Sequence, residues 1–404
     1  MKIAVAQLGA RMHYAVPKIF AQAGVLEMLF TDICGSAGLG RWISALPSNL
    51  LPNGARRLAA RKVKDIPLER LASFDRVGLE YWWRLRRART RCETAQVHLG
   101  AGEAFAEAIM RHGLGAADTV YTFNSAGLSL LKHARERGLR TVHEQTIAPV
   151  AVQIPLLKEE QVRWPGWEIE AEFEDSFQPF LENENSEWAL ADKILCGSDF
   201  VRDGIKKAGG PVERAIVVPY GVDMKVSPAA LNKDGEGDHR PLRVLTVGTV
   251  CLRKGSPYVM GAAQRMKNHA EFRMAGPVDL THLAARKMAE HVNLLGIVPR
   301  SEMASQFAWA DVFLLPSICE GSATATYEAL AWGLPVVTTA NAGSPILDGQ
   351  HGCLVPVRDV DAIVGALQRL KDSRLREEWS ANARKYSQTL TVSAYGRRLM
   401  EAIL

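Results

Sequence analysis

Short apolar runs alternate with helix-length amphipathic segments along the whole chain, and glycines or polar turns separate them. The runs are rich in β-branched residues and too short for helices, so the alternation is typical of parallel βαβ units. The pattern therefore predicts an α/β protein. In the first half it predicts strands at Ile3–Ala6, Val120–Phe123, Thr141–Val142, Ile194–Cys196 and Ile216–Val218.

The second half repeats this pattern more regularly, after a polar, glycine-rich stretch at residues 224–240 that is typical of a linker. Two Rossmann-like, doubly wound domains facing a central cleft are therefore expected, at residues 1–222 and 223–387. The ligand cleft would be lined by loops at the carboxyl ends of the strands. The strands predicted for the second domain are Val244–Val247, Phe272–Ala275, Val292–Leu295, Val312–Leu315, Val336–Thr338 and Cys353–Val355.

Composition fits two soluble domains, because hydrophobic residues make up 47% and charged residues 23% of the 404 positions. The chain begins with a strand-like run and has no apolar stretch of about 18 residues, which predicts a cytoplasmic protein. The six cysteines include no Cys-x-x-Cys pair, so neither a zinc site nor a disulfide framework is indicated.

Charge is unevenly distributed, with 21 Lys and Arg against 12 Asp and Glu in residues 1–150. The excess is concentrated between Arg41 and Arg91, around Trp82 and Trp83. Two interpretations stay open: peripheral contact with an anionic membrane surface or a phosphorylated acceptor, or an ordinary solvated helix face. Residues 164–167, with two tryptophans, are a second candidate for handling a lipid-linked acceptor. We expect no nucleic-acid partner.

The loop after the predicted strand Val312–Leu315 is the most unusual segment of the chain. Glu320 lies on its turn, and Glu328 lies eight residues later on the helix that follows. The small residues Gly321, Ser322 and Ala323, followed by Thr324, would let backbone N–H groups at a helix N-terminus approach a diphosphate.

These residues resemble the C-terminal signature of the glycosyltransferases of family 4, in which Pro-Ser precedes Glu-Gly and seven residues separate the first Glu from a second one. Further family elements occur in order around Val247-Gly248, Lys254-Gly255, Ala275-Gly276, Gly296 to Pro299 and Asn341 to Ser344. Several ordered motifs are far more specific than one glycine pattern. The resemblance implies the two-domain GT-B fold and retention of configuration at the anomeric carbon.

The resemblance also implies roles for single residues. Lys254 would contact the donor diphosphate, Glu320 would lie beside the transferred sugar and Glu328 would hold the ribose. Gly276 belongs to the donor site, and Ile297 and Val298 would frame the base. The family often has Arg where this chain has Thr249, and the neighbouring Arg253 is expected to supply that charge.

In the N-terminal half the resemblance is thinner. Gly9 matches a glycine-containing loop that closes over the diphosphate, and a simple tight turn is an equal alternative. His143 matches a strand-end histidine beside the sugar, and its alternative is a hydrogen-bonded core group. The helix at residues 388–404 would pack back on the N-terminal, acceptor-binding domain. Asp359 and Asp361 resemble a metal motif, but a helix N-cap is the favoured interpretation.

The expected function is that of a retaining hexosyltransferase. It would use a UDP- or GDP-linked sugar and a glycan or lipid-linked acceptor in bacterial cell-surface polysaccharide synthesis, without metal or cofactor. Two rivals stay open: a nucleotide-sugar epimerase of the same fold, and a catalytically silent nucleotide-sugar-binding subunit of a glycan-assembly complex.

Overall fold

Two parallel β-sheets, one in each half of the chain, organise the computed structural model, which describes residues 1–47, 51–169, 173–223, 226 and 240–404. Most of the predicted linker at residues 224–240 lies outside the described residues. The first sheet contains β1 (Ile3–Gln7), β2 (Leu26–Thr31), β3 (Leu71–Ser73), β4 (Thr119–Phe123), β5 (Arg140–Gln145), β6 (Lys193–Cys196) and β7 (Ala215–Val217). The second contains β8 (Leu242–Val247), β9 (Ala270–Ala275), β10 (Asn293–Gly296), β11 (Val312–Leu315), β12 (Val336–Thr338) and β13 (Gly352–Leu354).

Both sheets are doubly wound, as the sequence predicts. Their strand orders are β3-β2-β1-β4-β5-β6-β7 and β10-β9-β8-β11-β12-β13, with all neighbours parallel. In each sheet the chain first moves outward from the first strand and then returns to continue on its other side. A ligand crevice is therefore expected beside β1 and β4 in one domain, and beside β8 and β11 in the other.

Helices connect the strands and cover both sheets. Helix ends follow ordinary capping rules: Thr90 forms a capping box with Glu93, and Gly24 and Gly138 have positive φ just past helix ends. The helices are α1 (Ala15–Gln22), α2 (Gly38–Ala45), α3 (Asn53–Ala59), α4 (Asp75–Arg87), α5 (Arg91–His112), α6 (Leu128–Glu136), α7 (Val150–Arg163), α8 (Phe173–Leu190), α9 (Asp199–Lys207), α10 (Ser256–Arg265), α11 (His282–Ala289), α12 (Arg300–Trp309), α13 (Thr324–Ala331), α14 (Val360–Arg369), α15 (Ser373–Ser387) and α16 (Val392–Ile403).

Two strands of the N-terminal sheet escape the sequence pattern. β2 carries Glu27 near its start, and this carboxylate accepts a hydrogen bond from Ala116 N at 2.9 Å. β3 has three residues and lies at the edge of the sheet. Glu27 interrupts the apolar run of β2, and Leu71 is the only large apolar side chain of β3, so neither strand gives the apolar signal on which strand prediction depends.

Helix α7 joins the two domains. At its start, the Val150 N–H donates to Glu184 of the N-terminal domain at 2.9 Å. Near its end, the buried Glu160 accepts hydrogen bonds from Tyr258 and Arg358 of the C-terminal domain at 2.9 and 2.5 Å. Trp167 just beyond α7 is buried in the C-terminal core, so the prediction that residues 164–167 handle an acceptor is wrong for this tryptophan.

The last helix, α16, lies against the N-terminal domain. Arg398 Nη2 donates to the carbonyl of Pro219 at 2.9 Å, and Lys193 Nζ donates to the carbonyl of Ala402 at the same distance. The rings of Tyr220 and Tyr395 pack edge to face, with their centroids 5.8 Å apart. Both ends of the chain thus contribute to one domain.

Candidate functional site

The loops at the carboxyl ends of the two sheets meet, and they form the cleft that the topology predicts. Ala148, after β5, donates its N–H to the carbonyl of Glu320, after β11, at 3.2 Å. Ser198, after β6, donates its hydroxyl to the carbonyl of Gly321. The cleft wall of the C-terminal domain, where the sequence predicts donor binding, is called the donor wall below. That of the N-terminal domain, predicted to bind the acceptor, is called the acceptor wall.

Gly255 brings the loop after β8 against the loop after β11. Its φ is +74°, and a Cβ at this position would lie 2.1 Å from the carbonyl oxygen of Pro316. Both the left-handed backbone and this close approach require glycine. As a consequence, Lys254 and Arg253, which precede it, reach the turn that carries Glu320.

Glu320 holds two cations at the centre of the donor wall. Its Oε1 lies 2.6 Å from Arg253 Nη1 and 2.8 Å from Lys254 Nζ. Arg253 also donates to the carbonyl of Cys319 at 3.2 Å. Although burial opposes it, the neighbouring Glu320 carboxylate helps to raise the pKa of Arg253. Because two cations share one carboxylate, this cluster of three side chains has an excess of positive charge. It lies at the carboxyl ends of β8 and β11, where the strand order reverses.

The small residues after Glu320 are engaged mainly with the protein itself. A Cβ on Gly321 would lie 1.9 Å from the carbonyl oxygen of Thr146 across the cleft. The hydroxyl of Ser322 donates to the carbonyl of Gly343 at 3.0 Å. The N–H of Ala323 donates to the carbonyl of Ala342 at 3.0 Å, so the expectation that it is available to a diphosphate is wrong.

At the start of the following helix, Thr324 is exposed, whereas Glu328 lies half-buried one turn further along. Burial raises the pKa of Glu328, and the positive charge of Arg300 partly offsets that rise. Arg300 Nη1 in turn donates to Nε2 of His13 on the acceptor wall at 2.7 Å. Burial, assisted by Arg300, lowers the pKa of His13, which is consistent with a neutral imidazole accepting this bond.

The remaining residues that the sequence predicts to bind the donor line the ends of β8, β9 and β10. Thr249 is half-buried directly after β8, and Gly276 donates its N–H to the carbonyl of Gly296 at 2.8 Å. Ile297 is 58% exposed just beyond β10, and Val298 is half-buried beside it. An exposed aliphatic side chain at the carboxyl end of a strand is available to a flat base.

The acceptor wall begins with the loop after β1. Gly9 has a φ of +79°, its N–H donates to Asp32 Oδ1 at 3.0 Å, and a Cβ there would meet nothing within 4 Å. Three consecutive residues that are not glycine, Met12, His13 and Tyr14, then have φ values of 44°, 52° and 62°. Such backbone strain is concentrated at functional sites, and it coincides here with the His13 contact to Arg300.

A hydrogen-bonded chain runs across the ends of the neighbouring strands. Arg11 Nη1 donates to Thr146 Oγ1 at 2.7 Å, and this hydroxyl donates to Asn124 Oδ1 at 2.5 Å. Arg11 also lies over the ring of Phe123, 5.8 Å from its centroid. Its guanidinium is exposed at the acceptor wall and has N–H groups left for an anionic or hydroxyl-bearing ligand.

His143 is not presented to the cleft. It is fully buried on β5, with Nδ1 3.2 Å from Thr122 Oγ1 and Nε2 3.9 Å from Glu187 Oε2. Burial lowers the pKa of His143 to about 4, so the imidazole is neutral near pH 7. These surroundings match the alternative interpretation of His143, that of a hydrogen-bonded group in the core.

Two carboxylates behind His143 hold the loops of the acceptor wall. Glu187 accepts hydrogen bonds from the N–H groups of Ser125 and Gly127, both at 3.0 Å. Glu184 accepts from Gln145 Nε2 at 2.9 Å, in addition to the Val150 contact described above. Burial raises the pKa of both Glu184 and Glu187 to about 7.

Sequence reasoning missed several of these groups. The backbone carbonyl of Asn341 accepts a hydrogen bond from the N–H of Glu320 at 3.0 Å, and its side-chain amide donates to the carbonyl of Ile318 at 2.8 Å. These two bonds fix the turn that carries Glu320. Asn341 stands in a motif that the family resemblance already includes, so that motif was a usable signal. His13 and Arg300 are far apart in the chain, and only the fold brings them together.

Two further expectations concern metals and membranes. Asp359 accepts the N–H of Ala362 at 2.8 Å as the N-cap of α14, which confirms the capping interpretation. Across the part of the chain that the structure describes, no three His, Cys, Asp or Glu residues are grouped so as to hold a metal ion. Within those same residues, no helix combines the length and the hydropathy needed to cross a membrane.

The C-terminal half of the chain is similar to known proteins. Residues 241–373, which include the whole second sheet, match the family model described as "Glycosyl transferases group 1". The chain is 32% identical over 179 residues to the amylovoran biosynthesis glycosyltransferase AmsK of Erwinia amylovora, covering 40% of this chain and 43% of that protein.

A second relative is the GDP-mannose-dependent alpha-(1-6)-phosphatidylinositol monomannoside mannosyltransferase of Mycolicibacterium smegmatis. It is 31% identical over 201 residues, which are 44% of this chain and 52% of that protein. The chain thus spans about half the length of the curated relatives it matches. Among solved structures, HepE of Anabaena in complex with UDP and glucose superposes with a TM-score of 0.64 and 14% identity, covering 100% of this chain and 99% of that one.

The fold is therefore that of the GT-B glycosyltransferases. The resemblance of the sequence to a GT-B glycosyltransferase is confirmed, at the level of group 1 for the C-terminal domain. The narrower assignment to family 4 stays a prediction.

Proposed function

We propose that this protein is a retaining glycosyltransferase that transfers a hexosyl unit from a UDP- or GDP-linked sugar to a glycan or lipid-linked acceptor. The observation that carries the proposal is the convergence of Arg253, Lys254 and Glu320 at the switch point of the C-terminal sheet. Its relative AmsK is named for amylovoran biosynthesis, which favours a role in bacterial cell-surface polysaccharide synthesis. We place this activity in the cytoplasm, at the inner membrane face.

A diphosphate fits the charge and the donors of the cation pair. Lysine has three N–H donors and arginine has five, so both side chains can hold Glu320 and still donate to phosphate oxygens. The exposed Thr324 hydroxyl and the first N–H groups of α13 lie on the same loop, at the positive end of the helix dipole. Arg253 thus supplies the charge that Thr249 lacks.

Other residues of the donor wall are placed to hold the ribose and the base of the donor. Glu328 is an acceptor for the ribose hydroxyls, because its carboxylate is half-buried on the helix that starts beside the cations. Ile297 and Val298 offer apolar surface to the base at the end of β10. Thr249 and Gly276 line the ends of the two strands between the base and the phosphates.

Catalysis in this proposal is positional and electrostatic. Negative charge grows on the departing diphosphate, and Arg253 and Lys254 are already in place to stabilise it. Glu320 is held by those cations, so we assign it to orienting the sugar rather than to forming a covalent bond with it. The acceptor then attacks from the face that the diphosphate leaves, which retains configuration. The two side-chain cations take the place of a metal ion, which we expect to be unnecessary.

The first test is a thermal-shift series with UDP, GDP, ADP and their common sugar conjugates, each with and without magnesium. We expect one nucleotide to stabilise the protein selectively and independently of metal, because only the folded state binds it. Lys254→Ala should lose that shift, whereas Lys267→Ala, at an exposed lysine of the same domain, should keep it. No shift with any nucleotide would contradict the donor site.

Turnover then separates the three candidate functions. A transferase releases nucleoside diphosphate from the stabilising donor only when a bacterial membrane lipid or glycan extract is added. An epimerase converts the donor sugar without any extract, and a silent subunit binds the donor and leaves it unchanged. The anomeric proton coupling of the product, measured by NMR, tests retention.

A further inference from the structure

Helices α2 and α4 expose an unusual set of large apolar side chains on the N-terminal domain. Trp42 of α2 is 77% exposed, and Trp82 and Trp83 of α4 are 52% and 48% exposed. Leu39 and Leu79 are exposed on the same two helices. Single exposed apolar residues are ordinary, but three tryptophans on adjacent helices indicate a surface that another body covers. These residues are called the tryptophan face below.

The tryptophan face is also strongly basic. From residue 75 to residue 89 the chain carries five arginines against two acidic residues. Arg86 lies over the ring of Trp82, 4.7 Å from its centroid, and Arg87 lies over the ring of Trp83 at 3.6 Å. Trp82 and Trp83 therefore each present an apolar ring together with a cation.

The two acidic residues are engaged with the protein itself. Glu80 forms an ion pair with Arg84 at 2.6 Å, one turn along α4. Asp75 accepts hydrogen bonds from Leu39 N at 2.7 Å and from Ser73 Oγ at 2.9 Å. The first of these bonds ties the start of α2 to the start of α4, so the two helices form one surface.

The tryptophan face flanks the acceptor wall. Helix α4 follows directly from β3, at the same carboxyl edge of the sheet as the loop after β1. Gly78 of α4 packs against Ile33, just after β2. Tyr81 of α4 is near enough to Asp32, Arg61 and Arg11 for their charges to influence its pKa, which burial raises.

We propose that the tryptophan face docks on the surface of an anionic lipid bilayer. Tryptophan side chains lie at the level of lipid headgroups, and arginines beside them attract anionic lipids. Nucleic acid fits less well, because guanidinium groups already cover ring surface of Trp82 and Trp83 on which bases would stack. Docking itself does not depend on the donor site. Its consequence, a cleft opening onto lipid-linked acceptors, rests on the proposed function.

The test is sedimentation with vesicles of phosphatidylcholine alone or mixed with phosphatidylglycerol. We expect the intact protein to bind the mixed vesicles, and binding to fall as salt rises. Arg86→Glu with Arg87→Glu should weaken binding by at least about tenfold, because each basic residue near an anionic surface contributes about fivefold. Trp82→Ser with Trp83→Ser should weaken binding without changing its salt dependence.

Matched controls come from exposed positions away from this face. Lys132→Glu with Arg137→Glu, near the end of α6, makes the same charge change. Leu283→Ser on α11 removes an exposed apolar side chain of the C-terminal domain. Both controls should bind mixed vesicles like the intact protein. Circular dichroism and the nucleotide thermal shift of every variant verify the fold and the donor site.

The proposal is overturned if the intact protein does not bind mixed vesicles, or if the face variants bind as well as the controls. Self-association that only the tryptophan variants abolish, without vesicle binding, would assign the face to a second copy of the chain instead. Vesicle binding by a protein that shows no nucleotide shift supports docking while contradicting the proposed function, so the two can fail separately.

Discussion

The two walls of the cleft differ in the groups that hold their buried carboxylates. On the donor wall, the Glu320 carboxylate is paired with two cations at 2.6 and 2.8 Å. Behind the acceptor wall, Glu184 and Glu187 are buried and held by backbone N–H groups and an amide. Burial raises the pKa of Glu184 and Glu187 to about 7, although these hydrogen-bond donors oppose the rise.

Because of this difference, we expect one wall to respond to anionic ligands and the other to respond to pH. The donor wall carries excess positive charge and should respond to anionic ligands. The acceptor wall contains groups whose pKa lies near 7, so its stability should respond to pH. Substitutions that exchange these properties test whether the contrast is functional.

The largest effect is expected from Glu320→Gln. Loss of the charged group that orients the sugar should reduce turnover on the order of 100- to 1000-fold, as removal of a transition-state contact does in other enzymes. Nucleotide affinity should be kept or increased, because Arg253 and Lys254 no longer share their charge with a carboxylate. Single-turnover kinetics and calorimetric titration with the nucleotide measure the two effects. Unchanged turnover would contradict the role of Glu320.

A second, smaller effect separates the two cations. Lys254→Met should weaken nucleotide binding roughly tenfold to a hundredfold, since a charge-assisted hydrogen bond contributes about 1.5–3 kcal/mol. Glu320 keeps Arg253 as a partner, so the fold should survive. Arg253→Met is the matched variant, and it should show a comparable loss if both cations face the phosphates. A loss confined to one variant would assign the diphosphate to that cation alone, and no loss in either would contradict the site.

The stability of the protein should fall as pH rises, because the carboxyl groups behind the acceptor wall have raised pKa values. The folded-state pKa of Glu187 is about 7 against an ordinary 4.5, so the folded protein holds this proton more tightly than the unfolded chain. The stabilisation is present below pH 4.5 and is lost as pH rises through about 7.

Glu187→Gln removes this titration. Its free energy of unfolding, relative to the original chain, should therefore improve by on the order of 1–3 kcal/mol between pH 4.5 and pH 8. Urea unfolding at both pH values measures the difference, and Glu136→Gln, at an exposed position on α6, is the control. A pH dependence identical in both variants would show that the pKa of Glu187 is not raised in the folded protein, which would contradict this prediction.

The same contrast appears in what the sequence could predict. All six strands of the C-terminal sheet are predicted to within a few residues. Each carries an apolar run, and β11 and β12 are buried along their whole length, as strands of a parallel sheet covered by helices are. In the N-terminal sheet the prediction misses β2 and β3. There, Glu27 interrupts β2, and β3 has only one large apolar side chain, Leu71, so tertiary contacts rather than local pattern define them.

The residues of the site also divide into those that sequence motifs predict and those that only the fold brings together. Glu320, Arg253 and Lys254 are found together because ordered motifs mark both loops, and the fold then places them in contact. The contact of His13 with Arg300 joins residues 287 positions apart, and no local pattern marks it. His143 is the opposite case: a motif marks it, but its β5 position turns the imidazole into the core behind the wall. Local pattern locates loops, and only the fold decides which way a strand residue faces.

The smallest effect concerns Gly9, where a nucleotide-closing loop and a simple tight turn were equal alternatives. Gly9 and Gly24 have φ values of +79° and +73°, and neither has a neighbour within 4 Å of an added Cβ. Alanine should therefore destabilise the protein by a similar amount at either site, about 1 kcal/mol from backbone strain alone. Only Gly9 lies at the cleft, so a loss of nucleotide affinity of about threefold in Gly9→Ala and not in Gly24→Ala would assign the loop to the donor. Equal affinities, measured by titration calorimetry beside equal losses of stability, would leave Gly9 with the turn alone, and donor recognition would then belong entirely to the C-terminal wall.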